Sequence, residues 1–355
     1  VCASGKNRAK AGAPLHVNFQ LSNDGEYLAL VGPGPLAVHA YAPAYPAQRE
    51  NISYGILADD PSFARYLGVP TPGAANQEST PPPAAVRFAP ASGSFTHTMT
   101  VTLTTVTPGA LIRYTLDGST PGWTHGTDYT APIVLTNTAH LRAVSLADGL
   151  ISRMSGAVYL KLGADLANYT SALPIMVIDN FGAGTIPQKG WNSTGAGIKQ
   201  VPRQTAVWAT FDRKNGVSAL TNAPQMMHTI GIRGRGAYSS QWRQKPYSVE
   251  AVDEENEEAK VAPLGMPAHA DWVLYFPDPD ADKDPAMLFN TIAEELSRKM
   301  GHAAARFRWV EAFVNENGGE LRLSDRRGVY AILEKVARSS DRLDFTRLSE
   351  DGNSG

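Results

Sequence analysis

The chain has 355 residues, 43% of them hydrophobic, and 34 acidic residues nearly balance 32 basic ones. That length suits two to three domains with ordinary cores, and the charge balance leaves no electrostatic footprint for nucleic acid or an anionic membrane. Apolar runs such as Leu173-Pro-Ile-Met-Val-Ile178 are strand-sized and far too short to span a membrane, and the single cysteine, Cys2, excludes disulfide frameworks and cysteine zinc sites.

Residues 1–66 alternate strand-like runs (15–21, 26–31 and 52–56) with turns. Asn23-Asp-Gly25 between the first two is a hairpin signal, because tight hairpin turns need residues that accept positive φ. Lys6, Arg8 and Lys10 read as a solvated turn. Ala3-Ser-Gly-Lys-Asn-Arg8, Leu15-His-Val-Asn-Phe-Gln-Leu-Ser22 and Gly25-Glu-Tyr-Leu-Ala-Leu30 together resemble the C-terminal half of a lamin-tail-like β-sandwich. That resemblance implies an incomplete module. Residues 67–83 carry Pro70, Pro72, Gly73 and Pro81-Pro-Pro83, the composition of a semi-rigid linker.

Over residues 84–162 every signal is β. Thr98-Met-Thr-Val-Thr-Leu103 and Ala110-Leu-Ile-Arg-Tyr-Thr-Leu116 have strand composition, Asp117-Gly118 marks a turn, and further strands centre on Ile133 and Leu141. Asp117 and Asp128 are two carboxylates of the kind glycosidases pair, but aspartate before glycine is first a turn former. Tyr114-Thr-Leu-Asp-Gly-Ser119, Pro121, Tyr129, Pro132-Ile133 and Leu141-Arg-Ala143 resemble the small sandwich at the C-terminal end of chitobiase and related hexosaminidases. The resemblance implies an accessory sandwich without a sugar-cleaving site.

Residues 165–355 mix α and β signals. Ile175-Met-Val-Ile-Asp179 reads as a strand buried on both faces, and 207–212, 245–252, 272–276 and 307–314 supply further strands. Residues 284–301 form the clearest helix: Asp284 suits the N-cap and Pro285 the first turn. Leu288, Ile292, Leu296 and Met300 make an apolar face, and Gly301 suits the stop. Glu294 with Arg298, and Glu295 with Lys299, sit four apart and predict a solvent-exposed charged face.

The chemistry concentrates in this last region. Gly231-Ile-Arg-Gly-Arg-Gly236 is a glycine- and arginine-rich turn about ten residues before Lys245, an arrangement that lets backbone N–H groups and cations approach a phosphate. Asp278-Pro-Asp-Ala-Asp-Lys-Asp284 spaces carboxylates as calcium loops do, yet it lacks their glycine and terminal glutamate, so it reads as a polar insertion.

Trp242-Arg-Gln-Lys-Pro-Tyr247, Asp271-Trp-Val-Leu-Tyr-Phe276, Leu288-Phe-Asn290, Arg308-Trp-Val-Glu-Ala-Phe-Val-Asn315 and Gly328-Val-Tyr-Ala-Ile-Leu-Glu-Lys335, in this order, resemble the CotH-like kinases of spore coats. The sequence departs from that pattern at Gln244, where the family has lysine, and at Phe289, where it has arginine. The resemblance implies an α+β kinase-like lobe and transfer of the γ-phosphoryl of ATP to protein serine or threonine with Mg²⁺. Gly234, Arg235 and Gly236 would then cover the phosphates, Lys245 and Asn290 would hold the nucleotide, and Glu334, read as a helix-start carboxylate, would pair with Lys245.

The family's catalytic and metal-binding aspartates are expected downstream of residue 355, and both chain ends read as cuts. The fold expected is multi-domain: two all-β sandwiches, the first incomplete, then an α+β kinase-like lobe. The function expected is that of an exported bacterial kinase with an unassigned protein substrate. The rival is a surface adhesion or scaffold protein whose kinase-like module does no chemistry and whose middle sandwich binds a cell-surface polysaccharide.

Overall fold

A computed structural model provides the architecture. It describes all residues except 1, 4, 6, 8, 10–14, 35, 49–51, 80–81, 189–200, 237–243, 277–283, 285–287, 338–341 and 343–355. Two compact units result: Val1–Ala85 with Val106–Ala110 and Ser145–Arg153, and Val86–Thr105 with Leu111–Val144 and Met154–Gly355.

In the first unit β1 (Leu28–Val31) pairs antiparallel with β2 (Ala37–Tyr41), and β3 (Ser53–Gly55) with β4 (Arg65–Leu67). The Asn23-Asp24 turn forms, but residues 15–21 are not a strand and β1 takes β2 as its partner instead. The sheets are held by side chains: Tyr41, Tyr45, Tyr54 and Tyr66 form a chain of ring contacts at 5.2–6.5 Å. Among the described residues these are two small separate ladders. Lys6, Arg8 and Lys10 lie outside the described residues.

The second unit begins with two facing sheets. Its strands are β5 (Arg87–Ala89), β6 (Gly93–Phe95), β7 (Met99–Thr104), β8 (Leu111–Thr115), β9 (Thr127–Asp128), β10 (Ile133–Leu135), β11 (Ala139–Ala147, whose last three residues belong to the first unit) and β13 (Ser155–Lys161), while β12 (Leu150–Ile151) belongs to the first unit. One sheet runs β10-β7-β5 and the other β6-β13-β11-β8-β9, with β12 pairing the end of β11. The β10–β7, β5–β7, β11–β13 and β8–β9 ladders are antiparallel, and β13–β6 is parallel. Alternation sets the core: Val101 and Leu103 from one sheet meet Leu141, Ala143 and Tyr159 from the other.

Beyond this sandwich the short β14 (Thr170–Ser171) pairs with β17 (Ser218–Ala219), and seven strands close into a barrel. They are β15 (Ile175–Asp179), β16 (Gln204–Phe211), β18 (Met226–Gly234), β19 (Tyr247–Ala251), β20 (Asp271–Tyr275), β21 (Phe307–Asn315) and β22 (Arg326–Glu334), in the order β15-β16-β18-β19-β20-β22-β21. A parallel ladder between β15 and β21 closes the ring. So the expected kinase-like α+β lobe is instead dominated by a closed β-barrel, and α1 (Phe289–Lys299) is the one α-helix among the described residues.

Every second residue fills the barrel: Ile230 and Ile232, Trp272 and Leu274, Val310 and Ala312, Tyr330 and Ile332, with Trp208 edge-on to Trp272 at 6.1 Å. A barrel this small is a packed core, not a channel. Ile175 and Val177 point outward, yet they are buried against Val158 and Leu160 of β13. That second packing layer is why 175–178 reads as an unbroken apolar run. The 85–162 strands thus share no sheet with the barrel but do share a core with it.

Helix α1 is shorter than expected and is turned over. Leu288, not Asp284, is the N-cap residue; Asp284 lies one turn ahead of it, its two carboxylate oxygens accepting from Leu288 N (2.9 Å) and Phe289 N (3.0 Å). Gly301 sits past the end at φ +85°. The buried side, however, is polar: Thr291 is enclosed, Glu294 Oε2 accepts from Ala305 N at 2.8 Å, and Arg298 lies over the Phe307 ring. Leu288, Phe289, Ile292, Leu296 and Met300 face out, 39–69% exposed. The expected solvent-facing charged stripe is therefore corrected: Glu294 and Arg298 satisfy groups on the barrel.

A candidate phosphate-binding rim

Strand register sorts the predicted residues between the two mouths of the barrel. Gly234 ends β18, Lys245 precedes β19, and Tyr275 ends β20, all at one mouth; Glu334 ends β22 at the other.

Gly234 is buried, and its N–H donates to Pro187 O at 2.7 Å. A Cβ there would stand 2.1 Å from Gln188 Oε1 and 3.1 Å from Gln188 Cα, so any other residue requires Gln188 to shift. Arg235 N donates to Pro246 O (2.9 Å), and Gly236 follows at φ +83°. Two N–H groups of the turn are thus occupied by protein carbonyls. The expectation that these amides cradle a phosphate is corrected, and positive charge at this mouth comes from the side chains of Arg235 and Lys245.

Lys245 is half-buried and lies just outside the strand it was expected to open. Pro246 has no N–H to give to a ladder, so β19 starts only at Tyr247. The carbonyl of Lys245 accepts from Tyr330 Oη at 3.1 Å.

Asn290, exposed at the start of α1, donates through Nδ2 to Tyr275 Oη at 2.6 Å. Burial pushes the Tyr275 phenol above its ordinary pKa; the Asn290 bond pulls it back, the Asp284 charge adds to the rise, and the Arg235 charge opposes it. Arg235, Tyr275, Asn290 and Asp284 are therefore electrostatic neighbours. Burial also raises the phenols of Tyr247 and Tyr330, which lie nearby inside the barrel.

Glu334 belongs to none of this. It lies in a strand rather than at a helix start, and it accepts from Arg306 N and Arg306 Nε, both at 2.9 Å, with Arg342 Nε 4.0 Å away. Glu334 pairs in register with Trp272, whereas Lys245 extends the row of Phe276 and Tyr330. Four residues of strand separate the two rows, roughly 13 Å at about 3.3 Å per residue. The expected Lys245–Glu334 pair is not formed, because a closer cation neutralises the carboxylate.

The remaining candidates resolve simply. Asp117 Oδ1 accepts from Ser119 N (3.0 Å) and from its hydroxyl, which hold that carboxyl below its usual range, and Asp128 pairs with Arg113 at 2.7 Å. Of the 278–284 aspartates, those before Asp284 lie outside the described residues. A polar cleft of about 560 Å³ lies elsewhere, lined by Asn137, Asn315, Asn317, Arg322 and Asp325 among others, and contains none of the predicted site residues. Sequence reasoning missed Tyr275. The signal was present: in the alternation Trp272, Leu274, Phe276 inward, Tyr275 must face outward, toward the start of the helix.

Two family models match the chain. Residues 90–158 match the chitobiase/beta-hexosaminidase C-terminal domain, and residues 232–353 match the CotH kinase protein. The chain thus carries a chitobiase-type sandwich followed by a CotH-type domain, in the order the motifs implied. A comparison with curated proteins finds no match.

Proposed function

We propose that the CotH-type part of this chain binds a nucleoside triphosphate at the Arg235–Lys245–Asn290 mouth of the barrel and belongs to an exported protein kinase that transfers the γ-phosphoryl group to a protein hydroxyl. The observation that carries the reading is the neighbourhood of two cations, an exposed amide and a phenol at one mouth of the barrel, inside the stretch matched to the CotH kinase protein. Phosphoryl transfer depends on charge neutralisation and positioning, which such side chains supply. Arg235 offers a planar fork of donors and Lys245 a compact point charge. Asn290 orients the phenol.

The Mg²⁺ that accompanies such nucleotides would bring further neutralisation when bound. Among the described residues no group of three or more His, Cys, Asp or Glu side chains could hold it. The proposal therefore rests on the nucleotide contacts alone. No helix among the described residues is long and apolar enough to cross a membrane, in keeping with export as a released or surface-attached protein.

Calorimetric titration of Mg·ADP into the protein tests the reading. Saturable binding that weakens at least tenfold in Lys245→Ala, with the melting temperature unchanged, supports it. No binding to the wild type, or equal binding by the variant, overturns it.

A further inference from the structure

The polar cleft of about 560 Å³ lies where the sandwich meets the barrel, within the second unit. Asn137, in the turn between β10 and β11, supplies one wall, and the end of β21 with its connection to β22 supplies the rest. The site therefore belongs to neither module alone. Its walls are fixed by hydrogen bonds. Thr138 Oγ1 donates to Gly319 O at 2.9 Å and accepts from Lys161 N at 3.0 Å. Gly163 N donates to Leu321 O and Leu321 N to Lys161 O, both at 2.8 Å. Gly319, at φ +81°, leaves its stretch of wall bare, because a Cβ there would meet no atom within 4 Å. A ligand would meet a preformed surface, without the cost of ordering a loop.

The cleft presents hydrogen-bonding capacity without apolar surface. Every side chain that lines it is polar. Asn317 gives its backbone N–H to Asn315 Oδ1 at 3.1 Å, and the Ser324 carbonyl accepts from Arg327 Nη1 at 3.3 Å. The side chains of Asn137, Asn317 and Ser324 make no hydrogen bond among the described residues. Asp325 decides the chemistry. It is 5% exposed, and its Oδ2 accepts from Arg322 N at 2.9 Å. Its Oδ1 takes no hydrogen bond among the described residues and keeps an accessible face. A buried carboxylate oxygen in that position calls for a donor. The Arg322 guanidinium is bound to Glu320 instead, so these two charges cancel and Asp325 alone sets the sign of the cleft.

That sign turns phosphates away, and the lack of an apolar wall turns hydrophobic ligands away. Calcium would need about six to eight oxygen ligands, and here a guanidinium stands among them. A neutral ligand rich in hydroxyls meets every condition. Adjacent ring hydroxyls of a sugar each carry a donor and acceptors, at a spacing that a carboxylate or a primary amide can bridge. From this geometry we infer that the cleft is a subsite for a neutral sugar unit. Asp325 Oδ1 accepts from one ring hydroxyl, and the Asn137 and Asn317 amides bridge its neighbours. None of the lining side chains is aromatic, so binding rests on hydrogen bonds and falls in the millimolar range. The inference is independent of the nucleotide reading, since neither Lys245 nor Asn290 lines the cleft.

Ligand-observed NMR titration of cellobiose, maltose and di-N-acetylchitobiose into the full chain tests the subsite. At least one of them should bind saturably. Asp325→Asn keeps the shape of the acceptor and removes its charge, so it should weaken that sugar at least about fivefold. Asn137→Ala changes an exposed turn residue whose side chain the fold does not use. It should weaken the same sugar about threefold with an unchanged melting temperature, and it decides the matter should Asp325→Asn misfold. Tighter binding of the matching longer oligosaccharide would assign the cleft to a polysaccharide chain, and equal binding would assign it to a free sugar. Failure of all three sugars to bind saturably, or equal affinity in wild type and a correctly folded variant, overturns the subsite.

Discussion

Asn315 donates through Nδ2 to Asp179 Oδ2 at 2.9 Å, and both side chains are enclosed where β15 and β21 run side by side. Asp179 Oδ1 also accepts from Phe181 N at 2.8 Å. Burial nonetheless dominates: it pushes the carboxyl up from 3.8 to about 6, the two hydrogen bonds pull it down, and the Asp325 charge adds to the rise. An aspartate buried at the seam that closes the barrel is thus easier to protonate in the folded protein than in the unfolded chain.

The consequence for stability has a definite sign. A carboxyl whose folded pKa is raised adds stability that is full below about pH 3.8 and is lost as pH climbs through about 6. From this group alone, unfolding free energy should fall by up to about 3 kcal/mol across that window. Urea titrations at a series of pH values should show the decline in wild type and its disappearance in Asp179→Asn. A decline of equal size in the variant would assign the effect to another group.

The inverted helix makes a second prediction. Leu296 is 54% exposed, so Leu296→Lys should change stability by less than about 0.5 kcal/mol. Glu294→Ala removes the acceptor of Ala305 N and should cost about 1 kcal/mol. Denaturant midpoints decide the matter. A loss above about 2 kcal/mol for Leu296→Lys would mean that the apolar stripe is packed in solution.

Which features could be read from the chain follows from how local their causes are. The alternation of Trp272, Leu274 and Phe276, the unbroken run at 175–178 and the helix stop at Gly301 are nearest-neighbour patterns, and the strands and helix appear there within a few residues. Barrel closure is different. It depends on pairing Ile175–Asp179 with Glu311–Asn315, and no feature within either segment names the other. The facing of α1 depended on what the barrel offered: an unpaired Ala305 N–H and the Phe307 ring drew in Glu294 and Arg298, and the apolar stripe was left outside. The site divides in the same way. Arg235, Lys245 and Asn290 were legible as residue types in an ordered motif. The partner of Glu334 was not, because Arg306 lies 28 residues earlier and only the fold brings it near.

Gly234 should tolerate no side chain. Its Cβ would meet Gln188 Oε1 at 2.1 Å and the Gln188 Cα at 3.1 Å, so the backbone as well as the flexible amide must move. Gly234→Ala should therefore destabilise by about 1–3 kcal/mol, the usual result of overpacking. Thermal melts give the stability change. Unchanged stability would show that the 187–188 segment can move aside freely.

The sharpest separation of structure from binding lies at Glu334. Its side chain is 4% exposed and bound to Arg306, so Glu334→Ala removes a buried carboxylate and empties a filled position beside Trp272, while Arg306→Ala takes away the nearer of the carboxylate's two arginines. Breaking one side of such a pair typically costs about 3–5 kcal/mol, and the exposure of Arg306 places the expected loss at the lower end, about 3 kcal/mol for either variant. Nucleotide affinity should not follow. Measured well below the melting temperature, Mg·ADP binding by Glu334→Ala should stay within about twofold of wild type, because the affected mouth lies roughly 13 Å along the strands from the Lys245 row. Had Glu334 held Lys245, the same change would free the lysine and weaken the nucleotide strongly. Denaturation and calorimetry on one variant thus separate the two roles: lost stability with retained affinity is the outcome the Arg306 pair predicts, and lost affinity at full stability would restore Glu334 to the nucleotide site.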